Sequence, residues 1–192
     1  MKVLSFIIFL FSFTISFCQK NKIDSLINIA QSQKPDTNKV ITLINISNKY
    51  RVEQINHSLA KKYAEEAIEL SKKIKFYKGH FKSTIALAYV TRDMGKHSSG
   101  IELLKEAITI IESNEELKKD KSLILSWIYT YTALADLYTY LPDYKNAQQY
   151  AFKALEKSEQ HDKIGIGQCW LTISIILSKQ KHVEEAIEYA NK

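Results

Sequence analysis

The sequence predicts an all-α fold built as an array of repeated helix pairs, and three observations lead to this class. In three segments a small residue is followed by another small or apolar residue four positions later and a third one seven positions later. A fourth segment contains the first two residues of this pattern. The segments are Ala60-Ala64-Ala67, Gly100-Leu104-Ala107, Ala147-Ala151-Ala154 and Ala186-Ala190. The starting positions recur with a period of roughly 40 residues, which is typical of repeat arrays. The chain has only two prolines and five glycines, and no segment alternates for long with the period of two that indicates a strand. A stacked helical array offers a long surface rather than a catalytic pocket.

Residues 1–18 are predicted to be a signal peptide. Lys2 supplies a positive start, residues 3–17 form an apolar run, and Ser16 and Cys18 precede a plausible cleavage point before Gln19. The run is shorter than the roughly 20 apolar residues that span a bilayer as a helix. Two alternatives stay open, an uncleaved membrane anchor and lipidation of Cys18. We therefore expect an exported protein that is periplasmic or associated with the envelope.

Cysteine usage and charge argue against several classes of protein. Once the segment 1–18 is removed, Cys169 is the only cysteine left, so an intramolecular disulfide is excluded. The whole chain has a net charge of +6, but Arg51 and Arg92 are its only arginines. Its lysines alternate with glutamates along predicted helix faces, which is typical of a solvated surface. Because nucleic-acid readers usually use arginine forks or clustered basic stripes, we expect no nucleic-acid partner.

Helical periodicity divides the rest of the chain into an N-terminal helix with a linker, followed by four helix pairs. A helix is expected over about 21–33, and Pro35 then breaks it, with Asp36 or Thr37 available to cap the next helix. Gly95 lies in the predicted turn of the second pair, and Pro142 stands where it can start a helix. The predicted domains are a signal peptide at 1–18, an N-terminal helix and linker at 19–37, and an array at 38–192 with repeats at 38–76, 78–114, 120–160 and 163–192, the last of them truncated.

The small residues have a mechanical role within each pair. Two helices cross closely only where the side chains at the contact are small, so the repeated segments predict packing between paired helices. The interval from Gly100 to Ala147 is the longest between segment starts, and residues 113–121 are expected to hold its extra length as a loop. The paired helices are predicted at about 38–52 and 56–75, 78–94 and 98–113, 120–140 and 143–160, and 163–179 and 182–192. Either Asn56 or Ser58 is expected to start the second helix of the first pair.

The third pair carries the residues of a known pattern. They are Leu134-Ala135-x-x-Tyr138 in the first helix, Pro142-Asp143-Tyr144 in the turn, and Ala147, Ala151 and Ala154-Leu155 in the second helix. This pattern resembles the tetratricopeptide repeat, and matching residues in the other pairs extend the resemblance over 38–192. The second pair departs from it at Thr91, where a large aromatic residue is usual. The resemblance implies a right-handed superhelical solenoid of antiparallel helix pairs.

Repeats longer than the standard length of about 34 residues, behind a signal peptide, resemble the exported sensory regions of bacterial histidine kinases and related signalling proteins. Residues 23–26 and 36–40 look like the start of that group. Two functions stay open: a non-catalytic scaffold that binds proteins or peptides, and the N-terminal sensory region of a histidine kinase or transcriptional regulator whose output domain is missing from this chain. The last repeat stops before its third small residue, so we expect the working protein to be longer.

No pattern of residues predicts catalysis, a metal site or a cofactor. The five histidines show no metal-ligand spacing such as HExxH. Gly165-Ile166-Gly167 follows a predicted helix and lacks the third glycine or the lysine of a phosphate-binding loop. Cys169 lies beside Trp170 on a predicted helix, which favours a buried, inert thiol over a nucleophile. We therefore expect a protein that is not an enzyme.

In the family that the chain resembles, the first helices of the pairs line a concave face along which ligands lie. Carried over through the matched small residues, the resemblance implies a partner-binding groove lined by Asn48, Arg51, Lys82, Tyr89, Arg92, Tyr129, Thr132, Asp136 and Tyr140. The family's clamp for a terminal carboxylate is not expected, because only Asn48 fits it, while Ile44, Ala86, Tyr129 and Ala133 occupy its other polar positions. Tyrosine and arginine are favoured interface anchors, so a mixed aromatic and basic groove for a peptide or protein segment is expected.

Overall fold

The computed structural model describes residues 22–161 and 163–192, and every regular element in this part of the chain is a helix. The helices are α1 (22–32), α2 (Thr37–Val52), α3 (His57–Lys73), α4 (Tyr77–Asp93), α5 (His97–Glu112), α6 (Glu115–Lys119), α7 (Lys121–Tyr140), α8 (Tyr144–Glu159), α9 (Ile166–Lys179) and α10 (Val183–Ala190). The predicted signal peptide and the possible lipidation of Cys18 lie outside the described residues, so these features and the exported location stay predictions.

The helices pack as consecutive pairs. Extensive contacts join α2 to α3, α4 to α5, α7 to α8 and α9 to α10, and each pair also packs on the next one through α3 and α4, α5 and α7, or α8 and α9. The first helices also touch one another, α2 with α4, α4 with α7 and α7 with α9, so they form one continuous face. This arrangement confirms the predicted all-α solenoid of helix pairs.

The recurring small residues lie where paired helices cross, except Ala190 near the end of α10, which is exposed. Ala60, Ala64 and Ala67 of α3 are fully buried, and so are their equivalents Ala147, Ala151 and Ala154 of α8. Gly100 is also buried, and a Cβ atom built on it would lie 3.2 Å from Leu137 Cδ1 and 3.6 Å from the Ala88 carbonyl oxygen. The small side chains therefore permit the close approach of the helices that the sequence predicted.

Polar side chains satisfy backbone groups at helix starts and inside two of the pairs. Asp36 caps α2, since its carboxylate accepts a hydrogen bond from the Lys39 N–H at 3.0 Å. The buried Ser47 hydroxyl of α2 donates to the Ala60 carbonyl of α3 at 2.7 Å. The equivalent pair repeats the bond, because Ser174 of α9 donates to the Ala186 carbonyl of α10 at 2.8 Å. A matched serine thus links the two helices of the first pair and of the last.

The segment expected to be a loop at 113–121 contains a short helix, so that prediction is wrong. Asn114 caps α6 by accepting hydrogen bonds from the N–H groups of Glu116 and Leu117. Leu117 is buried against the core formed by α4, α5 and α7. One buried leucine and one capping asparagine suffice for a helix of this length, which is too short to show a helical period in the sequence.

The first helix of the last pair begins later than predicted, at Ile166 instead of residue 163. Gly165 precedes it in the left-handed region, with a φ of 71°, a conformation that glycine adopts without strain. A Cβ atom at this position would lie 3.1 Å from Leu125 Cδ1 of α7. Gly165 therefore fixes both the backbone turn and the close approach of this turn to α7.

Apolar side chains form a core that runs along the array. Cys169 is a free, buried thiol within the part of the core that α7 dominates, and burial raises its pKa to about 11. This environment agrees with the inert thiol that the sequence predicted. Within 22–161 and 163–192, no helix combines the length and the apolar character needed to cross a membrane.

Candidate functional site

The face formed by the first helices carries three adjoining depressions. We call them the N-terminal, central and C-terminal depressions, with volumes of about 340, 240 and 800 Å³. Tyr89 lines both the N-terminal and the central depression, and Arg92 and Asp136 line both the central and the C-terminal one. Because they share walls, the three depressions form one groove along α2, α4, α7 and α9.

The structure brings the nine residues predicted for the partner-binding groove to this face. Eight line the depressions: Asn48, Lys82 and Tyr89 the N-terminal one, Tyr89, Arg92, Tyr129, Thr132 and Asp136 the central one, and Arg92, Asp136 and Tyr140 the C-terminal one. The ninth, Arg51, lies next to them, with its guanidinium over the Tyr89 ring. Their geometry is therefore the one expected from the repeat pattern, while their role in binding stays a prediction.

A charged cluster occupies the middle of the groove. Arg51 Nη1 of α2 donates to Asp93 Oδ2 of α4 at 2.9 Å, and Arg92 donates from Nε and Nη2 to Asp93 Oδ1 at 3.1 and 3.0 Å. Both guanidinium groups also lie over the Tyr89 ring, 5.5 and 5.1 Å from its centroid, within the range of a cation–π interaction. The two arginines are thus held in place by one carboxylate and one aromatic ring.

In this cluster, burial and the nearby arginine charges shift the pKa values of Asp93 and Tyr89 in opposite directions. Burial alone would raise the pKa of Asp93, but the hydrogen bonds from Arg51 and Arg92 lower it below its ordinary value. Burial raises the pKa of Tyr89, although the two arginines oppose the change. Asp93 is therefore ionised at neutral pH, and Tyr89 is protonated.

Asp136 of α7 is in a different situation. Its carboxyl group is half-buried between the central and C-terminal depressions. Burial raises its pKa to about 6, and the charge of Arg92 opposes this only in part. Within the described part of the chain, no hydrogen bond or ion pair reaches this group. The groove therefore contains one carboxylate whose loss of hydration is not compensated inside the protein.

Several groove residues were not among those predicted from the sequence. Asp93 was missed although it follows Arg92 directly, and so was Ile41, which adds exposed apolar surface to the N-terminal end of the groove. His97 belongs to α5, a second helix, and its ring stacks on Tyr140 with centroids 5.4 Å apart and planes 9° apart. The repeat pattern assigns only first helices to the groove, so it had no means of finding His97. The proximity of this histidine to Tyr140 depends on the angle between adjacent pairs.

Groups suited to metal binding or nucleophilic chemistry do not converge in the described residues. No three His, Cys, Asp or Glu side chains gather there in an arrangement that could hold a metal ion. The buried thiol of Cys169 lies in the core and not in the groove. The groove instead presents aromatic rings, apolar side chains at its ends, amide groups and charged groups.

Comparison with solved structures identifies proteins of similar fold. A Rap protein complexed with competence and sporulation factor matches with a TM-score of 0.71 and 19% identity over 92% of this chain. A putative kinesin light chain from Podosopora anserina with nearly identical TPR-like repeats gives a TM-score of 0.68, 12% identity and 90% coverage. PlcR from Bacillus thuringiensis, in complex with the peptide PapR7 and DNA, gives 0.66, 14% identity and 92% coverage.

These likenesses concern the fold and only part of the larger proteins. The chain spans 49% of the Rap chain and 65% of the PlcR chain, but 84% of the kinesin light chain structure. No protein-family model matches the sequence, and a search of curated proteins gave no match. At identities this low, the shared feature is the stacked helix pair. The chain has the fold of the tetratricopeptide-like repeat proteins, as its recurring small residues predicted.

Proposed function

We propose that the protein is a non-catalytic scaffold that binds a peptide or an extended protein segment in the groove along α2, α4, α7 and α9. The observation that carries the proposal is the continuity of the three depressions through Tyr89, Arg92 and Asp136. A continuous groove with aromatic and arginine walls suits an extended chain, because each depression can take one or more side chains along it. The predicted signal peptide would place this groove outside the cytoplasm, and N-terminal sequencing of the mature protein tests that location.

Proteins of similar fold support this choice of ligand. One is the Rap protein in complex with competence and sporulation factor, and another is PlcR with its peptide PapR7 and DNA. The surface charges of this chain favour a peptide over a nucleic acid. Both arginines of the groove are engaged with Asp93, and surface lysines such as Lys61 pair with glutamates such as Glu65. The two side chains best suited to form forked hydrogen bonds with phosphate groups are therefore already engaged within the groove.

The test begins with selection of binding peptides from a random display library on the purified protein. The affinity of a selected peptide is then measured for the wild type, for the double variant Arg92→Ala/Tyr129→Ala and for Phe152→Ala. Removal of an arginine and a tyrosine from the central depression is expected to weaken binding at least about tenfold. Phe152 is an exposed aromatic residue of α8, a second helix, so its variant is expected to bind like the wild type.

The result that would reject the proposal is equally specific. If the double variant folds and binds every selected peptide with unchanged affinity, the groove is not the binding face. Equal losses in the double variant and in Phe152→Ala would show that binding is spread over the surface. Circular dichroism and thermal unfolding of each variant separate loss of binding from loss of fold.

A further inference from the structure

The groove holds two aspartates that differ in what surrounds them. Asp93 receives three hydrogen bonds from two guanidinium groups. Asp136 receives none from the described residues, although it is half-buried. A carboxylate that is partly withdrawn from water without a partner costs free energy, so we infer that the folded protein tolerates an unfavourable group at this point. A ligand that donates hydrogen bonds to Asp136 would remove that cost.

The position of Asp136 makes it accessible to such a ligand. It lies on the wall shared by the central and C-terminal depressions, so a side chain in either one can reach it. Tyr129 lines the central depression and Tyr140 the C-terminal one, and these tyrosines are 38% and 70% exposed. A carboxylate flanked by exposed aromatic rings is the environment that an ammonium or guanidinium group prefers, through charge-assisted hydrogen bonds and cation–π contact.

Positive groups in the groove also have to be considered. Arg92 is the nearest, but it donates two hydrogen bonds to Asp93 and lies over the Tyr89 ring. Lys179 lines the C-terminal depression, and its charge opposes a cation there. An anionic ligand would meet these groups, but it would also place its charge next to the unpartnered carboxylate of Asp136. Lys82 lines the N-terminal depression and, like Lys179, keeps contact with water. We therefore expect the half-buried carboxylate, and not these hydrated lysines, to decide the charge of the ligand.

We propose that the ligand is a peptide segment with a lysine or arginine side chain that pairs with Asp136, and that an apolar residue of the same segment enters the N-terminal depression. The proposal rests on the function proposed above. The N-terminal depression supplies the apolar part of the site through Ile41, Ile44 and Ile85. The groove would therefore recognise a segment that contains both a basic residue and an apolar residue.

The experiment uses three pools of fluorescent nine-residue peptides with random sequence except at the central position, which is lysine, glutamine or glutamate. Fluorescence polarisation gives the average affinity of each pool for the wild type, Asp136→Asn and Glu116→Gln. The wild type is expected to bind the lysine pool about tenfold more tightly than the glutamine pool, the usual size of one charge-assisted hydrogen bond. In Asp136→Asn this ratio should fall to about one, while Glu116→Gln should keep it.

The two acid-to-amide variants are matched. Glu116 is an exposed residue of α6 outside the three depressions, so its change removes one negative charge from the protein without changing the groove. Thermal unfolding confirms that both variants are folded. If Asp136→Asn and Glu116→Gln lower the preference for the lysine pool over the glutamine pool equally, the preference comes from the overall charge of the protein. That result would overturn the proposal.

Failure of this inference and failure of the proposed function give different results. If the pools bind and the groove variant Arg92→Ala/Tyr129→Ala weakens all of them, but the glutamate pool binds best or Asp136→Asn keeps the lysine preference, the function stands and the basic ligand is wrong. If the groove variant binds the pools as the wild type does, or if no pool binds, both the function and the inference are wrong.

Discussion

At the scale of residues, the groove shows how position changes the energetics of one functional group. Asp93 and Asp136 both carry a carboxyl group on a first helix, and both line the C-terminal depression. The pKa of Asp93 is lowered because its hydrogen bonds outweigh its burial, and the pKa of Asp136 is raised to about 6 because burial prevails. We therefore expect Asp93 to stabilise the folded state at neutral pH and Asp136 to destabilise it.

The change Asp136→Asn is expected to stabilise the free protein at pH 7.5. The folded state holds the proton of Asp136 more tightly than the unfolded state, whose pKa is near 3.8. The penalty is therefore largest above about pH 6 and is lost as the pH falls toward 4. A tenfold change in proton affinity is worth about 1.4 kcal/mol, so for this partly hydrated group we expect the free energy of unfolding to rise by about 1–2 kcal/mol.

Urea unfolding of the wild type and of Asp136→Asn at pH 7.5 and pH 4.5 measures this effect. The difference between the two proteins should be smaller at the lower pH, while other titrating groups contribute equally to both and cancel. A variant that is less stable than the wild type at pH 7.5 would contradict the pKa assigned to Asp136. Such a result would show that the carboxylate has a stabilising partner in solution.

The sequence predicted which groove residues come together, but not how they are paired. The resemblance to the tetratricopeptide repeat, carried over through the matched small residues, was enough to name Arg51, Tyr89, Arg92 and Asp136 as residues of one face. The bond between Arg51 and Asp93 joins residues 42 positions apart on adjacent pairs, and no local pattern encodes it. The distinction between the two aspartates depends on this bond, so it could be made only from coordinates.

At the scale of elements, one position of the repeat has two different environments. Ala151 of α8 is fully buried at the crossing with α7, as its place in the pattern predicts. Ala190 occupies the same place in α10, but it is exposed. Among the described helices, α9 is the one on which α10 packs extensively. The pattern therefore predicts a small residue at both positions, and packing decides whether the small size is needed.

The matched substitutions Ala151→Leu and Ala190→Leu are expected to differ in cost. Leucine at the buried crossing has to displace α7, so Ala151→Leu should lower the free energy of unfolding by about 1–3 kcal/mol. Leucine at the exposed position should change it by less than about 0.5 kcal/mol. Urea unfolding at pH 7.5 measures both. Equal effects of the two changes would show that helix propensity, and not packing, controls this position.

Two helices show where the hydrophobic periodicity of the sequence fails to predict secondary structure. Helix α6 has five residues, so it is shorter than two turns and has no apolar stripe to detect. Helix α9 begins after Gly165, although residues 163–165 were expected to belong to it. The positive φ of Gly165 and its closeness to Leu125 of α7 fix that boundary. Both differences arise from contacts with neighbouring elements, which a single-sequence pattern does not contain.

At the scale of the whole molecule, ion pairs among the described residues tie the first helix pair to the second and the second to the third. Lys78 of α4 lies 2.8 Å from Asp120, which caps α7, and Lys72 of α3 lies 3.6 Å from Glu106 of α5. Together with the bond from Arg51 to Asp93, these contacts join adjacent pairs. Each ion pair is partly exposed and worth little alone. Because they lie at the junctions between helix pairs, we expect them together to favour one angle between neighbouring repeats, on which the shape of the groove depends.

Stability should vary along the array, with the centre of the groove on its most stable part. Helices α4 and α7 bury more than half of their residues and contact helices on both sides, while α10 buries only Ala186. Local opening is least costly where a helix has few buried contacts. Hydrogen–deuterium exchange at pH 7, followed by mass spectrometry, should show amides of α4 and α7 at least about a hundredfold better protected than those of α10.

Equal protection of all the helices would mean that the chain unfolds as one cooperative unit. In that case the end of the groove around Lys179 would be as rigid as the part around Asp93 and Asp136. A ligand could then not change the shape of the groove by moving the last helix pair.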